Sequence, residues 1–586
     1  MNDRIAQDKT GNNPADRACG RRCPRWVPLA AILVVAAVLR VSGLESSPPS
    51  LTVDEAVATY NAYCLLHTGK DWSGQSWPIV SMVGLGEYPS PLASYTMIPF
   101  QAIWGMTAWT TRLPSALGSI ATVALLYYVG ARMLGRSAGL AAAGLLAVSP
   151  WHLAVSRLAM SGGASFAPLA VVGTLAAILW ANLPPDDGKR AVRPSRAVLA
   201  GAVAAFACYG YWSLRIFLPV FILAIVAMAW RGWWGLVKSR QGKFAAAAFV
   251  LAGALVITPL IVAHMTTPAM NARAGAVTAW MGSLSATAKA WSILCRYVAH
   301  FSPAFLFTEG DIWPLHAMTD GGVLYWYVLP LLLAGLAVLL MRAGQSAAAR
   351  VLLVWLAIYP VADLLGEHPT PHLLRSSPGI AAFCLIAGVG ATAVCRWLAQ
   401  KRRVLGVAAA GVLVAVAALC AGRYDYKLLV EYPRETLVYL NSYSDFLQAA
   451  RWLKGRLDHA DAVMVTSDND NPAFHPFVYM LVGMQYDPLR WLSDRHESYN
   501  LATGESYISS IRPQFCYRDA QISFGKFHFL YLGARDRILE KVCSYARPDR
   551  TFIVLRPYES DANYSPVLKY YTPQGMLTLL VYEGMQ

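Results

Sequence analysis

Apolar runs of about 20 residues recur along the first 420 positions of this 586-residue chain, and they restrict its fold more than any other feature. Lipid offers the backbone no hydrogen-bond partner, so a run of that length crosses a bilayer as a helix. The expected spans are 26–43, 113–131, 136–152, 164–182, 197–213, 214–230, 244–264, 323–341, 349–366, 377–398 and 404–422. Only 14% of the residues are charged, against roughly 25% in a soluble chain. The fold class expected is an α-helical polytopic membrane protein with about 11 transmembrane helices. The run "RRCPRWVPLAAILVVAAVLRV" has the basic start and apolar middle of a signal peptide. It lacks a small-residue cleavage site, so it reads as a retained first span.

One further stretch, 91–108, "PLASYTMIPFQAIWGMTA", is apolar enough to compete, and loop charge decides its place. If it does not cross, "ARMLGR", "DDGKRAVRPSR", "RGWWGLVKSRQGK", "MRAGQSAAAR" and "RWLAQKRR" share a side with the basic N-terminus. Those five loops hold sixteen Lys/Arg against two acids, Asp186 and Asp187; the opposite loops, counted with Arg215 and Asp363 at the adjoining span ends, hold eight basic residues and ten acidic ones. That is the positive-inside distribution, and a crossing at 91–108 would invert it. The stretch therefore reads as an interfacial helix with Trp104 and Trp109 at headgroup level. The same distribution accounts for the net charge of +15 without nucleic acid, for which no aromatic-interleaved basic patch is present.

This topology divides the chain into a cytoplasmic basic tail (1–25), a transmembrane domain (26–422) with outward loops at 44–112 and 265–322, and an extracytoplasmic α/β domain (423–586). In the last, "SDFLQAARWLKGRL" has helical spacing with Ser444 placed to cap it, and "DAVMVTS" and "RTFIVLRP" read as buried strands. Cys516 and Cys543 share this exterior domain, where a disulfide can form. Cys19 and Cys23 lack the second half of a zinc site.

The first outward loop carries "SSPPSLTVDEAVATYNAY", with adjacent carboxylates Asp54 and Glu55 at the head of a helix that Thr52 can cap. Acids there complement the helix dipole and need no further role. Their setting suggests chemistry, because Arg157, Arg215, His372 and Arg375 all lie at or near outer span ends. A carboxylate facing cations at headgroup depth suits transfer of a sugar from a lipid phosphate: a base takes the acceptor's proton, and cations stabilise the departing phosphate.

Several segments carry a wider resemblance: "LTVDEA", "GEYPSPLASY", "TTRLPSALGSIATVALLYYVGARMLGRSAGLAAAGLLAVSP", "HFSPAFLFTEGD" and "PHLLRSSPG". In their order over roughly residues 26–400 they resemble the GT-C superfamily of integral membrane glycosyltransferases. The closer resemblance is to the family 39 protein mannosyltransferase and lipid A aminoarabinose transferase group, including bacterial family-39-like members. The resemblance implies Asp54 as catalytic base, with Glu55 supporting it or simply favouring the helix start. Glu87 and His264 match positions that can share a divalent metal in the aminoarabinose transferases; a His at a span terminus also serves as an interfacial hydrogen-bonding group. Two features depart from the pattern. Tyr88 stands where the family has a basic residue, and "SRLAMSGGASF" offers Arg157 where related enzymes have an Asp.

The cations have bland readings beside the functional one. Arg215 sits in a very short outward turn, where it either snorkels to the headgroups or binds phosphate. Arg40 is expected to snorkel outward. His372 and Arg375 open a span after a Pro-rich turn and are read as phosphate ligands with Arg157 and Arg215. Asp311 and His316 lie in the middle loop, a possible lid, as ordinary loop polarity. "VTSDNDNPAFHPF", with Asp468 and Asp470, reads as an Asx-rich turn, since it faces outward where no nucleotide sugar occurs. The function expected is a glycosyltransferase at the outer (periplasmic) face of the cytoplasmic membrane. It moves a sugar from a polyprenyl-phosphate-linked donor to a lipid, glycan or protein acceptor with inversion at the anomeric carbon, a divalent metal being an open option. A transporter or flippase of lipid-linked sugars would place ionisable residues near the midplane; a glycan ligase or polymerase would differ only in product.

Overall fold

Each expected apolar span of the sequence forms a helix. The structure, a computed structural model, describes residues 24, 26–85, 88–183, 193–267, 270–271, 275, 278–313, 315–316, 318, 321–366, 371–466, 476–493, 497–499, 521–530, 547–560 and 564–584. The N-terminal half contains α1 (Val27–Val41), α2 (Val53–Thr68), α3 (Leu92–Trp104), α4 (Ala108–Met133), α5 (Arg136–Ala147), α6 (Pro150–Ser156), α7 (Ala167–Trp180), α8 (Pro194–Phe206), α9 (Trp212–Met228), α10 (Trp230–Lys238) and α11 (Arg240–Thr266). There follow α12 (Ala286–Ala299), α13 (Val328–Arg342), α14 (Ala347–Ile358), α15 (Ile380–Lys401) and α16 (Arg403–Tyr426).

Among the described residues, five helices are long and apolar enough to cross a membrane. Two bent pairs, α5 with α6 at 59° and α9 with α10 at 77°, raise the number to seven, and four shorter apolar helices accompany them. The chain is thus a multi-span α-helical membrane protein. All eleven expected segments contain one of these helices or pairs. The last overruns its expected end at 422, continuing through Tyr426 into further helical turns as far as Arg434.

The stretch Ser377–Lys401 has 78% of its apolar window buried, against 11% for α11 and for the helix from Arg403. Glycines let neighbours approach α15 closely. A Cβ on Gly390 would lie 1.8 Å from the Leu331 carbonyl oxygen, and one on Gly335 would lie 2.0 Å from that of Ile386. Small residues at such crossings allow the van der Waals contact that holds helices together in lipid.

Residues 91–108 supply α3, only 13 residues long. At 1.5 Å per residue that is about 20 Å, too short for a hydrocarbon core of about 30 Å. Its inner face packs Ala93 and Met97 on Ala58 and Ala62 of α2, while Ile103 and Trp104 are exposed. The Trp104 ring meets Trp109 edge-on at 5.3 Å.

Arg40 departs from expectation, for it is fully buried. Pro150 lacks an N–H and cannot continue the α5 ladder, so the helix's last carbonyls turn to other donors, the Ser149 amide reaching Leu146 O at 3.3 Å. Arg40 takes up two of them, donating Nη1 to Ala147 O at 2.8 Å and Nη2 to Leu146 O at 3.1 Å. Its Nη2 also lies 2.8 Å from His152 Nδ1, which must act as acceptor because a guanidinium only donates.

The C-terminal domain is built on a seven-stranded sheet, ordered β2-β3-β4-β1-β5-β7-β6. Its strands are β1 (Ala462–Thr466), β2 (Glu497–Tyr499), β3 (Gln521–Phe524), β4 (Phe527–Leu530), β5 (Thr551–Leu555), β6 (Leu568–Tyr571) and β7 (Leu577–Glu583). β1 runs parallel to β4 and β5, and the remaining pairs are antiparallel. The two strands read from sequence, β1 and β5, are fully buried at the centre. The preceding helices are α17 (Thr436–Asn441) and α18 (Ser444–Leu453); α19 (Pro476–Met484) and α20 (Pro488–Ser493) follow β1. Ser444 opens α18 without capping it: the cap position is Tyr443, in the left-handed region at φ 47°, and Asp445 Oδ1 accepts the Phe446 amide. Cys19, Cys23, Asp468, Asp470, Cys516 and Cys543 lie outside the described residues.

Candidate active site

Thr52 caps α2, and the cap explains how two adjacent acids acquire different surroundings. Its hydroxyl accepts the Glu55 amide at 3.2 Å, and Glu55 Oε2 accepts the Thr52 amide at 2.9 Å, a reciprocal capping box. Glu55 is fully buried. Its Oε1 accepts from Arg112 Nε at 2.9 Å and from the Ala159 amide at 3.0 Å, and its Oε2 from Arg112 Nη2 at 3.0 Å. Four donors fill the acceptor capacity of a carboxylate. Arg112, on α4, spends its other N–H groups on the carbonyls of Leu44, Pro48 and Ser50 and so ties the end of α1 to the start of α2. Asp54 is the partly exposed acid of the pair.

The C-terminal domain closes over the other side of α2. Tyr479 Oη donates to Leu51 O at 3.1 Å, Tyr60 Oη to Tyr486 O at 3.1 Å, and Trp491 Nε1 to Trp72 O at 2.8 Å. Leu51, Val57, Tyr60 and Trp72 join the domain's own apolar core. Burial, then Tyr443 and the negative charges of Glu55 and Asp54, hold the Tyr479 phenol well above its ordinary range, so it stays a proton donor.

The four basic residues singled out in the sequence fall into three local groups. Arg157 ends α6, fully buried. It donates Nη1 to Leu39 O at 3.3 Å and Nη2 to Ser47 O at 3.2 Å, while its Nε finds no acceptor. Arg215 lies over the Trp212 ring at 4.1 Å, with Nη1 2.8 Å from His264 Nε2 and Nη2 without an acceptor. His372 and Arg375 share Asp363. The His372 amide donates to Asp363 Oδ2 at 2.7 Å, Arg375 Nη1 lies 3.7 Å from Oδ1, and His300 Nε2 lies 3.3 Å from Oδ2.

His264, the metal-ligand candidate of the sequence, stands beside Arg215 and Asn271. Its Nε2 accepts from Arg215, and Nδ1 faces Asn271 Oδ1 at 2.8 Å, whose amide in turn donates to the His264 carbonyl. Both ring nitrogens are engaged, and Glu87 lies outside the described residues. A metal-competent donor set occurs elsewhere. Asp311, His316 and His372 are all buried, and each brings one ligand atom within 4.8 Å of the others. His316 Nδ1 lies 3.2 Å from Asp311 Oδ2. Burial would raise the Asp311 carboxyl, but the His316 hydrogen bond and the two nearby imidazoles hold it below the usual range.

Sequence reading missed Asp363, the Arg112 anchor and Tyr479. Asp363 carried a signal, being a lone acid at the end of the apolar run 349–366, where a carboxylate demands partners. Arg112 and Tyr479 carried none, because their partners lie 57 and 428 positions away.

No protein-family model matches the sequence, and no curated protein is similar to it. Solved structures do share its fold. ArnT from Cupriavidus metallidurans bound to undecaprenyl phosphate superposes with a TM-score of 0.54 at 13% identity, over 96% of this chain and 99% of ArnT. The apo state of the same protein gives 0.52 at 12% identity, over 96% and 98%. The archaeal oligosaccharyltransferase AglB from Archaeoglobus fulgidus, in complex with an inhibitory peptide and a dolichol-phosphate, gives 0.51 at 13% identity, over 96% of this chain and 74% of AglB. At this level of identity the likeness is one of fold, and it extends along nearly the whole chain.

Proposed function

We propose that the chain is a GT-C membrane glycosyltransferase of the family-39-like kind, moving a sugar from a polyprenyl-phosphate donor to an acceptor at the outer face of the cytoplasmic membrane. The observation that carries this reading is the partly exposed Asp54 at the head of α2, in a fold shared end to end with a protein that holds undecaprenyl phosphate. Loop charge supports eleven crossings, an inside N-terminus and an outside C-terminal domain.

Asp54 takes the proton from the acceptor hydroxyl or amine. The freed lone pair attacks the anomeric carbon from the face opposite the phosphate. The bond from that carbon to the phosphate oxygen breaks, and its electron pair leaves with the polyprenyl phosphate. A single displacement inverts the anomeric centre. Glu55, saturated with donors, fixes the backbone from which Asp54 projects. The departing phosphate requires cations with hydrogen-bonding capacity to spare. Arg157, Arg215 and Arg375 each keep a buried guanidinium N–H without a hydrogen-bond acceptor, a costly condition that an anion relieves. His372 adds an imidazole beside Arg375. No nucleotide enters the reaction.

The test is Asp54→Asn in purified protein supplied with a labelled polyprenyl-phosphate sugar and cell-envelope acceptors. A general base contributes about 10²–10⁴-fold, so transfer should fall by that factor with the melting temperature unchanged. Parental turnover in Asp54→Asn would remove the mechanism. Product size separates single transfer from polymerisation.

A further inference from the structure

We infer that Asp311, His316 and His372 hold one divalent transition metal of the zinc class, which clamps the middle outward loop to the segment leading into α15. The inference concerns metal content and shares one residue, His372, with the proposed sugar transfer.

The site joins two distant pieces of chain. Asp311 and His316 belong to the loop that follows the helical turn Ala304–Thr308, and His372 precedes α15. All three side chains are buried, at 4%, 7% and 8% exposure, where little solvent competes for their donor atoms. A tetrahedral zinc with bonds of 2.0–2.1 Å holds its ligand atoms about 3.3 Å apart. Asp311 Oδ2 and His316 Nδ1 already stand at 3.2 Å. With all three atoms inside 4.8 Å of one another, completing the set needs a contraction of about 1.5 Å at most, within reach of an imidazole rotation.

Two imidazoles and a carboxylate favour zinc and its neighbours over magnesium or calcium, which prefer oxygen throughout. Three protein ligands leave a fourth position. The cavity bordered by Asp311, His316, Trp151 and Tyr424 is about 10 Å³, on the scale of one water.

A supporting shell is also present, as metal ligands require. Asp311 accepts the Leu373 amide at 2.7 Å through Oδ2 and the Trp313 amide at 3.0 Å through Oδ1. The His372 amide is anchored on Asp363, and the His316 and His372 rings meet edge-on at 5.0 Å. Each ligand segment is pinned to the helical frame beside the ion. Trp151 Nε1 donates to Leu373 O at 2.9 Å, and Tyr432 Oη donates to Leu315 O at 2.9 Å. A metal at this junction would fasten the loop to the segment whose Leu373 amide Asp311 already accepts.

The experiment uses full-length protein in detergent, carried on a tag free of histidine. It is stripped with chelator, reloaded with zinc, desalted and analysed for metal by mass spectrometry. About one zinc per chain is expected in the parent and in His264→Gln, and less than about one fifth in His316→Gln, His372→Gln and Asp311→Asn. Zinc should raise the melting temperature and slow proteolysis of the 278–313 region in the parent and in His264→Gln, and in none of the three ligand variants. If the variants fail to fold, cobalt in the parent decides: a tetrahedral visible spectrum supports the clamp. A parent that retains no zinc, or that loses it through His264→Gln while His316→Gln keeps it, overturns the inference. Because the readout is metal content, its failure leaves the assignment of Asp54 untouched, and inactivity of Asp54→Asn leaves the clamp untouched.

Discussion

Replacing Arg112 with methionine removes the cation that faces Glu55 without removing the bulk that fills the site. Both side chains are fully buried, and five donor contacts leave the guanidinium. The single substitution strands a buried carboxylate and three carbonyls, and breaking a buried pair from one side costs about 3–5 kcal/mol. Unfolding entropy is about 2.1 cal/mol/K per residue, so a cooperative unit of roughly 400 residues should melt about 4–6 °C lower. Arg112→Met/Glu55→Met removes both charges. It should recover about 2 °C or more of that loss, because no charge is then left unpaired. The assay is thermal unfolding in nanodiscs followed by tryptophan fluorescence, with insertion verified for each variant. A single variant melting within about 1 °C of the parent, or a double variant losing the full sum of the singles, would refute the clamp as the anchor of α2.

Arg157→Lys keeps the charge but loses the guanidinium fork. Donor KM should rise about tenfold to a hundredfold, the worth of a hydrogen bond to a charged group, in initial-rate measurements at varied lipid donor. Tyr479→Phe leaves the Leu51 carbonyl without its donor and should cost about 1–3 kcal/mol, seen as faster proteolytic release of the C-terminal domain; Tyr571→Phe, at an exposed position, should behave as the parent. Gly390→Ala drives a Cβ into the Leu331 carbonyl and should lower the melting temperature by several degrees, with an overpacking cost of about 1–3 kcal/mol or more. Gly173→Ala meets nothing within 4 Å and should be silent.

The apolar periods made the helices legible, since a segment that must satisfy its backbone in lipid has one conformation available. The cap at Thr52 and the buried strands β1 and β5 were legible for the same local reason. Arg40 shows where local reading stops. A cation at a span's outer end has open water as its default, and only the break at Pro150 creates the carbonyls that hold it inside. Pro150 was visible in the sequence, but its proximity to Arg40 was not. The metal-competent donor set was hidden in the same way: Asp311 and His316 read as loop polarity because His372 arrives from 56 positions later.

The two adjacent acids show most clearly why the site could not be read from spacing. Neighbouring residues on a helix point about 100° apart, so one core-facing stripe normally tells which of two acids lies inward. That signal fails on α2. The transmembrane helices cover one side of it and the C-terminal domain covers the other, and nearly every position from Glu55 to Leu65 is buried. A helix buried all round has no amphipathic period to report. Solvent reaches only its two ends, and in the first turn the choice between Asp54 and Glu55 is made by Arg112, which reaches one of them from another helix. The chemical identity of the pair was therefore open to sequence reading, while the division of labour within it depends on a tertiary contact.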